Sequence, residues 1–320
     1  WCKLVKYHTP YAFRLYSHFI RDERDNIVSQ VASIRINNIL NPIIYDGYLS
    51  DKNNFDKLLP NAPFPKTYFR KIAGVFYDAE YNYIPEPNIE TVIAELARKD
   101  KNIIIKQTVE SDSGRGVYLI KSHDSSNTNH SMEDRLKDVI MNKTLPNLIV
   151  QECLHQHPFL NQFNSSSINT IRVATYRSVL TNNIHILSTV IRLGAAGKFI
   201  DNLHAGGHMV RVADDGSLAD FCIDQYGTRY HNHNGVSTKG LILPHFDEIK
   251  ALVKRLSSQL VDIRLIQWDI MLDEKGKPRV IEFNCNGFSM WIAQMTGTPA
   301  FGEFTDEIIQ YCESQLKNKK

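Results

Sequence analysis

The sequence predicts an α+β fold, with antiparallel sheets carrying helices on their faces. Two observations point there. From residue 165 onward strands dominate: residues 171–180 and 184–193 are separated by Thr181-Asn182-Asn183, a hairpin signal, and residues 265–272 and 279–283 form a second hairpin. Helical patterns at 246–260 and 306–316 interleave with these strands, the first of them amphipathic. The length of 320 residues suggests about two domains.

The elements follow in order. Residues 11–24 carry Phe13, Tyr16, Phe19 and Ile20 at helical spacing, and residues 28–39 continue this mostly helical N-terminal segment. Prolines at 60, 63 and 65 then favour extended backbone, which sets a boundary after residue 64. Residues 67–77 read as a strand or hairpin. Pro85-Glu86-Pro87-Asn88 opens a helix over 89–98, with Asn88 as its cap. Residues 102–106 and 117–120 are strands joined by the turn Ser111-Asp112-Ser113-Gly114-Arg115-Gly116. A polar loop at 122–131, a helix at 132–141 and a strand at 147–151 complete this part.

Composition removes several classes of function. Hydrophobic residues make up 42% and charged residues 22%, which excludes a disordered or collagen-like chain. The net charge of +2 leaves no basic footprint for nucleic acid. No uncharged apolar run approaches the length of a membrane span. Cys2, Cys153, Cys222, Cys285 and Cys312 are scattered and never spaced as CxxC, so they read as reduced thiols of a cytoplasmic protein, not as a disulfide framework or a zinc site. No signal peptide is legible, and the chain opens at Trp1 without Met, as a processed or trimmed chain does.

Three constellations carry chemistry. The first is the hairpin Trp268-Asp269-Ile270-Met271-Leu272 to Arg279-Val280-Ile281-Glu282-Phe283-Asn284. A loop at 274–277 sets Asp273 against Pro278 and Asp269 against Glu282, with Asn284 on the same face. Opposed carboxylates repel, and a divalent cation relieves them; three oxygen donors suit Mg²⁺, which keeps waters and takes substrate phosphates. The plainer reading is a pair of solvated carboxylates at a sheet margin. The second is Lys106 followed by the glycine turn, whose backbone N–H groups approach phosphate closely while Lys106 and Arg115 add charge. It is neither a P-loop nor a dinucleotide fingerprint, and an ordinary hairpin turn is the competing reading. The third is Arg172 and Arg192 on apolar strands, each requiring an anionic partner, a carboxylate or a phosphate. His204 reads as a loop histidine, and His155, His157, His231 and His233 show no ligand-like spacing.

The order strand-Lys, glycine turn, strand, Gln151-Glu152, Asn169-Thr170-Ile171-Arg172, Asp201-Asn202 with Gly206-Gly207, Trp268-Asp269 and Glu282-Phe283-Asn284 resembles the ATP-grasp superfamily over roughly residues 65–287. Within it the chain is similar to the sugar-transfer-associated ATP-grasp proteins, and also to the ribosomal-protein glutamate ligases. The resemblance implies an ATP-grasp fold, with residues 65–154 as the lid subdomain and 155–320 as the core subdomain. It implies Lys106 on the α- and β-phosphates, with Ser111, Ser113, Gly114, Arg115 and Gly116 closing over them. Gln151, Glu152, Cys153 and Leu154 become the adenine hinge, and Lys71 the second adenine-side lysine. Asp269, Glu282 and Asn284 become ligands of one or two Mg²⁺ ions, with Mn²⁺ as an alternative, and Arg172, Arg192 and Asn202 contacts of the γ-phosphate and an acyl phosphate. The acidic ribose contact expected after the hinge is missing from residues 154–158.

The implied activity is ligation of a small-molecule carboxylate to an amine through an acyl phosphate, in polysaccharide or secondary metabolism. A kinase acting on a hydroxylated small molecule and a binding module without turnover remain as rivals. Residues 288–291 and the polar loop 226–234 are the candidates for an acceptor pocket.

Overall fold

The computed structural model describes residues 10–20, 26–109, 114–123, 130–287 and 290–318. It divides into two compact units, Ser50–His155 and a larger one built from Trp1–Leu49 and Gln156–Lys320. The expected boundary after residue 64 therefore falls inside the smaller unit, and residues 10–49 are part of the larger unit, not of a separate N-terminal domain. The physical reason is local: the proline-rich stretch is a loop whose Phe64 stacks on Phe55 at 5.9 Å, which ties both of its sides to one core.

The chain opens with helices α1 (Pro10–Tyr16), α2 (Gln30–Leu40) and α3 (Asp46–Ser50). The smaller unit continues with α4 (Phe55–Leu58), β1 (Thr67–Ile72), β2 (Val75–Asp78), β3 (Tyr83–Ile84), α5 (Glu86–Ala97), β4 (Ile103–Gln107), β5 (Val117–Ile120), α6 (Met132–Ile140) and β6 (Leu148–Glu152). Among the described residues these strands form a six-stranded antiparallel sheet, ordered β3-β2-β1-β6-β4-β5. Phe69, Phe76, Ile103, Ile105, Leu148 and Val150 bury one face against Ile89 and Ile93 of α5 and Leu136 and Ile140 of α6. Helix α5 begins two residues before the expected cap: Asn88 lies in its first turn, where Pro87 needs no N–H partner. Helix α6 starts with a reciprocal box between Ser131 and Asp134.

The larger unit continues with α7 (Pro158–Asn161), β7 (Ile171–Arg177), β8 (Ile184–Leu193), β9 (His208–Val212), β10 (Cys222–Ile223), β11 (Arg229–Tyr230), β12 (Asn232–His233), β13 (Val236–Ser237), α8 (Phe246–Gln259), β14 (Leu265–Leu272), β15 (Pro278–Asn284), α9 (Met290–Met295) and α10 (Thr305–Asn318). Its main sheet, seven strands among the described residues, runs β11-β10-β9-β8-β7-β14-β15. Period-2 alternation sends Thr175 and Trp268 toward α8, where the indole N–H donates to Thr175 Oγ1 (3.2 Å) and Ser257 Oγ (3.0 Å). Ala174, Tyr176 and Leu265 point the other way and pack with α2, α9 and α10.

Asn41, just past α2, anchors that packing. Its amide N–H groups donate to Leu265 O (2.7 Å) and Cys285 O (2.5 Å), and its Oδ1 accepts from the backbone N–H groups of Arg264 and Leu265 (2.9 Å each). Gln294 of α9 likewise exchanges two hydrogen bonds with the Val28 backbone, at 2.7 and 2.9 Å.

Candidate active site

The β14–β15 hairpin brings Asp269 opposite Glu282 and Gln267 opposite Asn284. It does so by a route different from the expected one. The turn spans residues 273–277, Leu272 and not Asp273 faces Pro278, and a bulge beside the Asp269–Glu282 pair takes up Ile281 as the extra residue. The bulge shows in the burial of β15, where Ile281 and Glu282 are both half-exposed in succession. Asp273 instead organises the turn: its Oδ1 accepts from the N–H groups of Lys275 (3.0 Å) and Lys277 (2.9 Å).

Asp269 also lies opposite Arg172 on β7, and Arg172 opposite Val190 on β8. One face of the sheet therefore presents Glu282, Asp269, Arg172 and, two residues past Val190, Arg192. Arg172 binds Asp269 with two parallel bonds, Nε to Oδ1 at 2.8 Å and Nη2 to Oδ2 at 2.7 Å. Arg192 holds Asp201 in the same way (3.2 and 3.0 Å) and lies 3.7 Å from Asp269 Oδ2. Asp269 is 1% exposed. Burial acts to raise its pKa, but Arg172 and Arg192 overcome this and hold the carboxyl below the usual carboxylate range. Burial likewise opposes the charge on Arg192, yet Asp201, Asp269 and Glu282 raise its pKa above the ordinary value.

The arginines thus have carboxylate partners. Three carboxylates against two guanidinium groups still leave this cluster with an excess negative charge, which favours a cation beside Glu282 and Asn284. The donor chemistry fits Mg²⁺: all three candidate ligands offer oxygen, and the Arg172 fork leaves Asp269 further lone pairs on each oxygen.

The Asn169-Thr170-Ile171-Arg172 segment is held from behind. Buried Asn169 donates to Leu160 O and Asn164 O (2.9 Å each), and its Oδ1 accepts from Gly194 N–H at 3.1 Å. Thr170 N–H donates to Asp201 Oδ2 at 3.1 Å. Asn202 Oδ1 accepts from His204 N–H (2.9 Å) and so caps the short turn at Leu203–Ala205. Gly207 follows because a Cβ there would lie 2.8 Å from Leu193 O. A small cavity beside Arg172 is lined by Ser188, Val190, Gln267, Met290 and Ile292. Phe288 and Ser289 lie outside the described residues.

In the smaller unit the strand register separates the two lysines. Lys106 faces Val117 and Ile149, on the side away from α5 and α6. Lys71 faces Leu148 and Phe76, on the helix-covered side. Its ammonium donates to Ile140 O (3.0 Å) and Asn142 O (2.9 Å), closing the C-terminal end of α6, and burial lowers its pKa. The structure thus places Lys71, expected to contact nucleotide, at the end of α6 and on the other sheet face from Lys106. Arg70 occupies Lys106's face and is held by Asp56 (2.5 Å) and Asn53 O (2.8 Å). Gly116 is required by contact, since a Cβ would meet Gln107 Cβ at 2.8 Å. Gly114 and Gly116 both have positive φ, and Arg115 between them is exposed. Ser111 and Ser113 lie outside the described residues. At the end of β6, Gln151 reaches Pro65 O (3.4 Å), and Glu152 Oε1 accepts from Lys66 N–H (2.8 Å). Cys153, next along, has its thiol pKa raised by burial, and Leu154 follows it.

Sequence reasoning underrated Asp201, the partner of Arg192. It read Cys222 as a scattered thiol, found no ligand-like spacing for His233 and left out His208; the fold gathers these last three together. No linear motif joins these three.

The chain belongs to the sugar-transfer associated ATP-grasp family, whose sequence model matches residues 35–308. The fold is therefore ATP-grasp, within the expected α+β class. No curated protein matches by sequence. Among solved structures the chain is similar to D-alanyl-alanine synthetase A from Vibrio cholerae O1 biovar eltor str. N16961 (13% identity, 88% of this chain, 66% of that chain, TM-score 0.46). It is also similar to D-alanine–D-alanine ligase from Bacillus anthracis (13%, 88% and 72%, 0.46). A third is the ATP-grasp ligase PsnB complexed with a phosphomimetic variant of its minimal precursor, Mg and ADP (12%, 85% and 62%, 0.47). The chain spans less than two thirds of the length of the Vibrio and PsnB chains. No helix among the described residues is long and apolar enough to cross a membrane.

Proposed function

We propose that the protein is an ATP- and Mg²⁺-dependent ligase that joins a carboxylate to an amine with release of ADP and phosphate. The observation that carries this reading is the single sheet face on which Asp269, Glu282 and Asn284 stand beside the paired Arg172 and Arg192. In this reading a substrate carboxylate oxygen attacks the γ-phosphorus of ATP, the bond to the β-phosphate oxygen breaks, and ADP leaves. The amine nitrogen then attacks the acyl carbon, the bond to the phosphate oxygen breaks, and an amide and inorganic phosphate remain. Bound at Asp269, Glu282 and Asn284, Mg²⁺ would supply positive charge against the phosphoryl oxygens.

The chain's own residues position and neutralise. Arg172 and Arg192 use their Nε and Nη2 edges on carboxylates, so their Nη1 groups are the ones to meet phosphoryl oxygens as charge spreads over them. Both oxygens of Asp201 already accept hydrogen bonds from Arg192 and Thr170, so its place is to hold Arg192 and the Thr170 backbone. The amine proton goes to the departing phosphate. Asn202 joins these contacts from the head of its turn. Lys106, Gly114, Arg115 and Gly116 hold the polyphosphate, with Ser111 and Ser113 of the same turn, and Gln151, Glu152, Cys153 and Leu154 hold the base. The family's link to sugar transfer favours an amino acid joined to a carboxylated sugar or peptide.

The test is a thermal melt with an ATP analogue and Mg²⁺ across a dilution series. Stabilisation of about 2.7 kcal/mol is expected at a hundredfold excess over Kd, and Glu282→Gln removes its Mg²⁺ dependence. Absence of any shift at saturating nucleotide overturns the reading, and a phosphorylated product with no amide reassigns it to a kinase.

The two lysines give an independent check. Lys106→Ala weakens analogue binding by about tenfold to a hundredfold, the loss of a charge-assisted hydrogen bond. Lys71→Met lowers stability by about 1–3 kcal/mol by orphaning two carbonyls and leaves the analogue's Kd unchanged. Calorimetric titration of both variants separates these outcomes.

A further inference from the structure

On the opposite face of the β8–β9 strand pair from Arg192 lies a cluster that the ligase reading does not use. His208 on β9 pairs with Leu193, while Arg192 pairs with Met209, so His208 and Arg192 point to opposite sides of the sheet. Cys222 of β10 and His233 of β12 converge on His208, and one ligating atom from each falls within 4.8 Å of the others. Cys222 Sγ is 3.3 Å from His208 Nδ1, and His233 Nδ1 is 3.0 Å from the same atom. Cys222 is 0% exposed and His233 2%.

The proton positions follow from the neighbours. His233 Nε2 lies 2.7 Å from Gly194 O. A carbonyl only accepts, so Nε2 carries the proton and Nδ1 keeps a lone pair. The Asn234 amide near Nε2 (3.1 Å) directs its N–H to Phe163 O at 2.7 Å and does not alter this assignment. The His208 ring is fixed by stacking on Tyr230, with centroids 4.4 Å apart and planes 15° apart. Two imidazole nitrogens and a sulfur thus meet at one point, where at most one proton can lie between the nitrogens.

We propose that His208, Cys222 and His233 form a zinc site with a fourth position on the half-exposed His208 side. The spacing supports a tetrahedral ion. Bonds of about 2.0–2.1 Å to nitrogen and about 2.3 Å to sulfur require about 3.3 Å between nitrogens and about 3.6 Å from nitrogen to sulfur. The two contacts of His208 need to open by only a few tenths of an ångström, and the Cys222–His233 separation, within 4.8 Å, has to settle at the nitrogen–sulfur distance. One thiolate with two imidazoles selects zinc over Mg²⁺ or Ca²⁺, which take oxygen donors. The carbonyl of Gly194 holds the His233 tautomer, the usual support for a ligating histidine. This ion ties β9, β10 and β12 together, and through Gly194 it braces the start of the 194–207 loop that carries Asp201. In this proposal Cys222 has ligand partners that spacing alone did not reveal.

The experiment is metal analysis of the full chain purified without chelator, followed by chelator dialysis and titration with Co²⁺. The expected result is one zinc per chain, replaced by one Co²⁺ with tetrahedral d–d bands and a thiolate-to-cobalt charge-transfer band. Cys222→Ser abolishes the charge-transfer band, His208→Gln weakens Co²⁺ binding at least tenfold, and Cys312→Ser changes neither. A folded wild-type apoprotein that shows no thiolate-to-cobalt band overturns the site, and so does a band that survives in Cys222→Ser. Should Cys222→Ser fail to fold, the wild-type spectrum together with His208→Gln decides.

Discussion

Asp269→Asn lowers ADP release by about a hundredfold to a thousandfold, the effect of losing one preorganised charge from a transition-state site. The same change destabilises the larger unit by about 3–5 kcal/mol, because Arg172, 13% exposed, loses the carboxylate it binds with two hydrogen bonds. Both effects come from one carboxylate that is 1% exposed and doubly bonded by Arg172. They separate in the double variant Asp269→Asn with Arg172→Met. Stability recovers in part, since no unpaired guanidinium remains, while turnover stays lost. Urea denaturation and a coupled ADP assay read the two quantities. Full activity in Asp269→Asn would falsify the assignment of this sheet face to catalysis.

Asn41→Leu is the second large effect, and it acts far from any reacting atom. Asn41 satisfies two donors and two acceptors of the backbone at Arg264, Leu265 and Cys285. Each buried group left without a partner costs about 1–3 kcal/mol, so a loss of about 3–6 kcal/mol is expected with relaxation of the surroundings. The denaturation midpoint falls while the m-value holds, as for a change in native-state stability. Turnover in the folded fraction drops as well, because Cys285 adjoins Asn284. A midpoint within error of wild type would show that residues 10–49 are an appendage to the larger unit and not part of its core.

The β14–β15 hairpin and the shared face of Asp269, Glu282 and Asn284 were legible because strand alternation is local and the partners lie within one turn of chain. Even there the turn length and the bulge at Ile281 were not legible, since two offsets of one residue cancel. The position of Lys71 was not legible because its partners, Ile140 O and Asn142 O, lie about seventy residues along the chain. Which sheet face a lysine takes depends on the order β1-β6-β4, which no local pattern encodes. The boundary read after residue 64 lies inside the smaller unit for the same reason: prolines report backbone shape, whereas membership of a unit is decided by distant packing. His208, Cys222 and His233 come from three separate strands, so only the folded register gathers them.

The Asn41 clamp also has a consequence in time. Its partners lie 223 and more residues downstream, and those of Val28 lie 266 downstream. At about 5–20 residues per second, synthesis reaches Leu265 roughly 10–45 s after Asn41. Throughout that interval α2 has no native surface to cover Ala32, Ile36 and Leu40, while the smaller unit, contiguous in the chain, is free to fold first. The nascent chain is thus a finished small unit preceded by a waiting apolar helix, an intermediate whose exposed apolar surface invites aggregation until Leu265 is made.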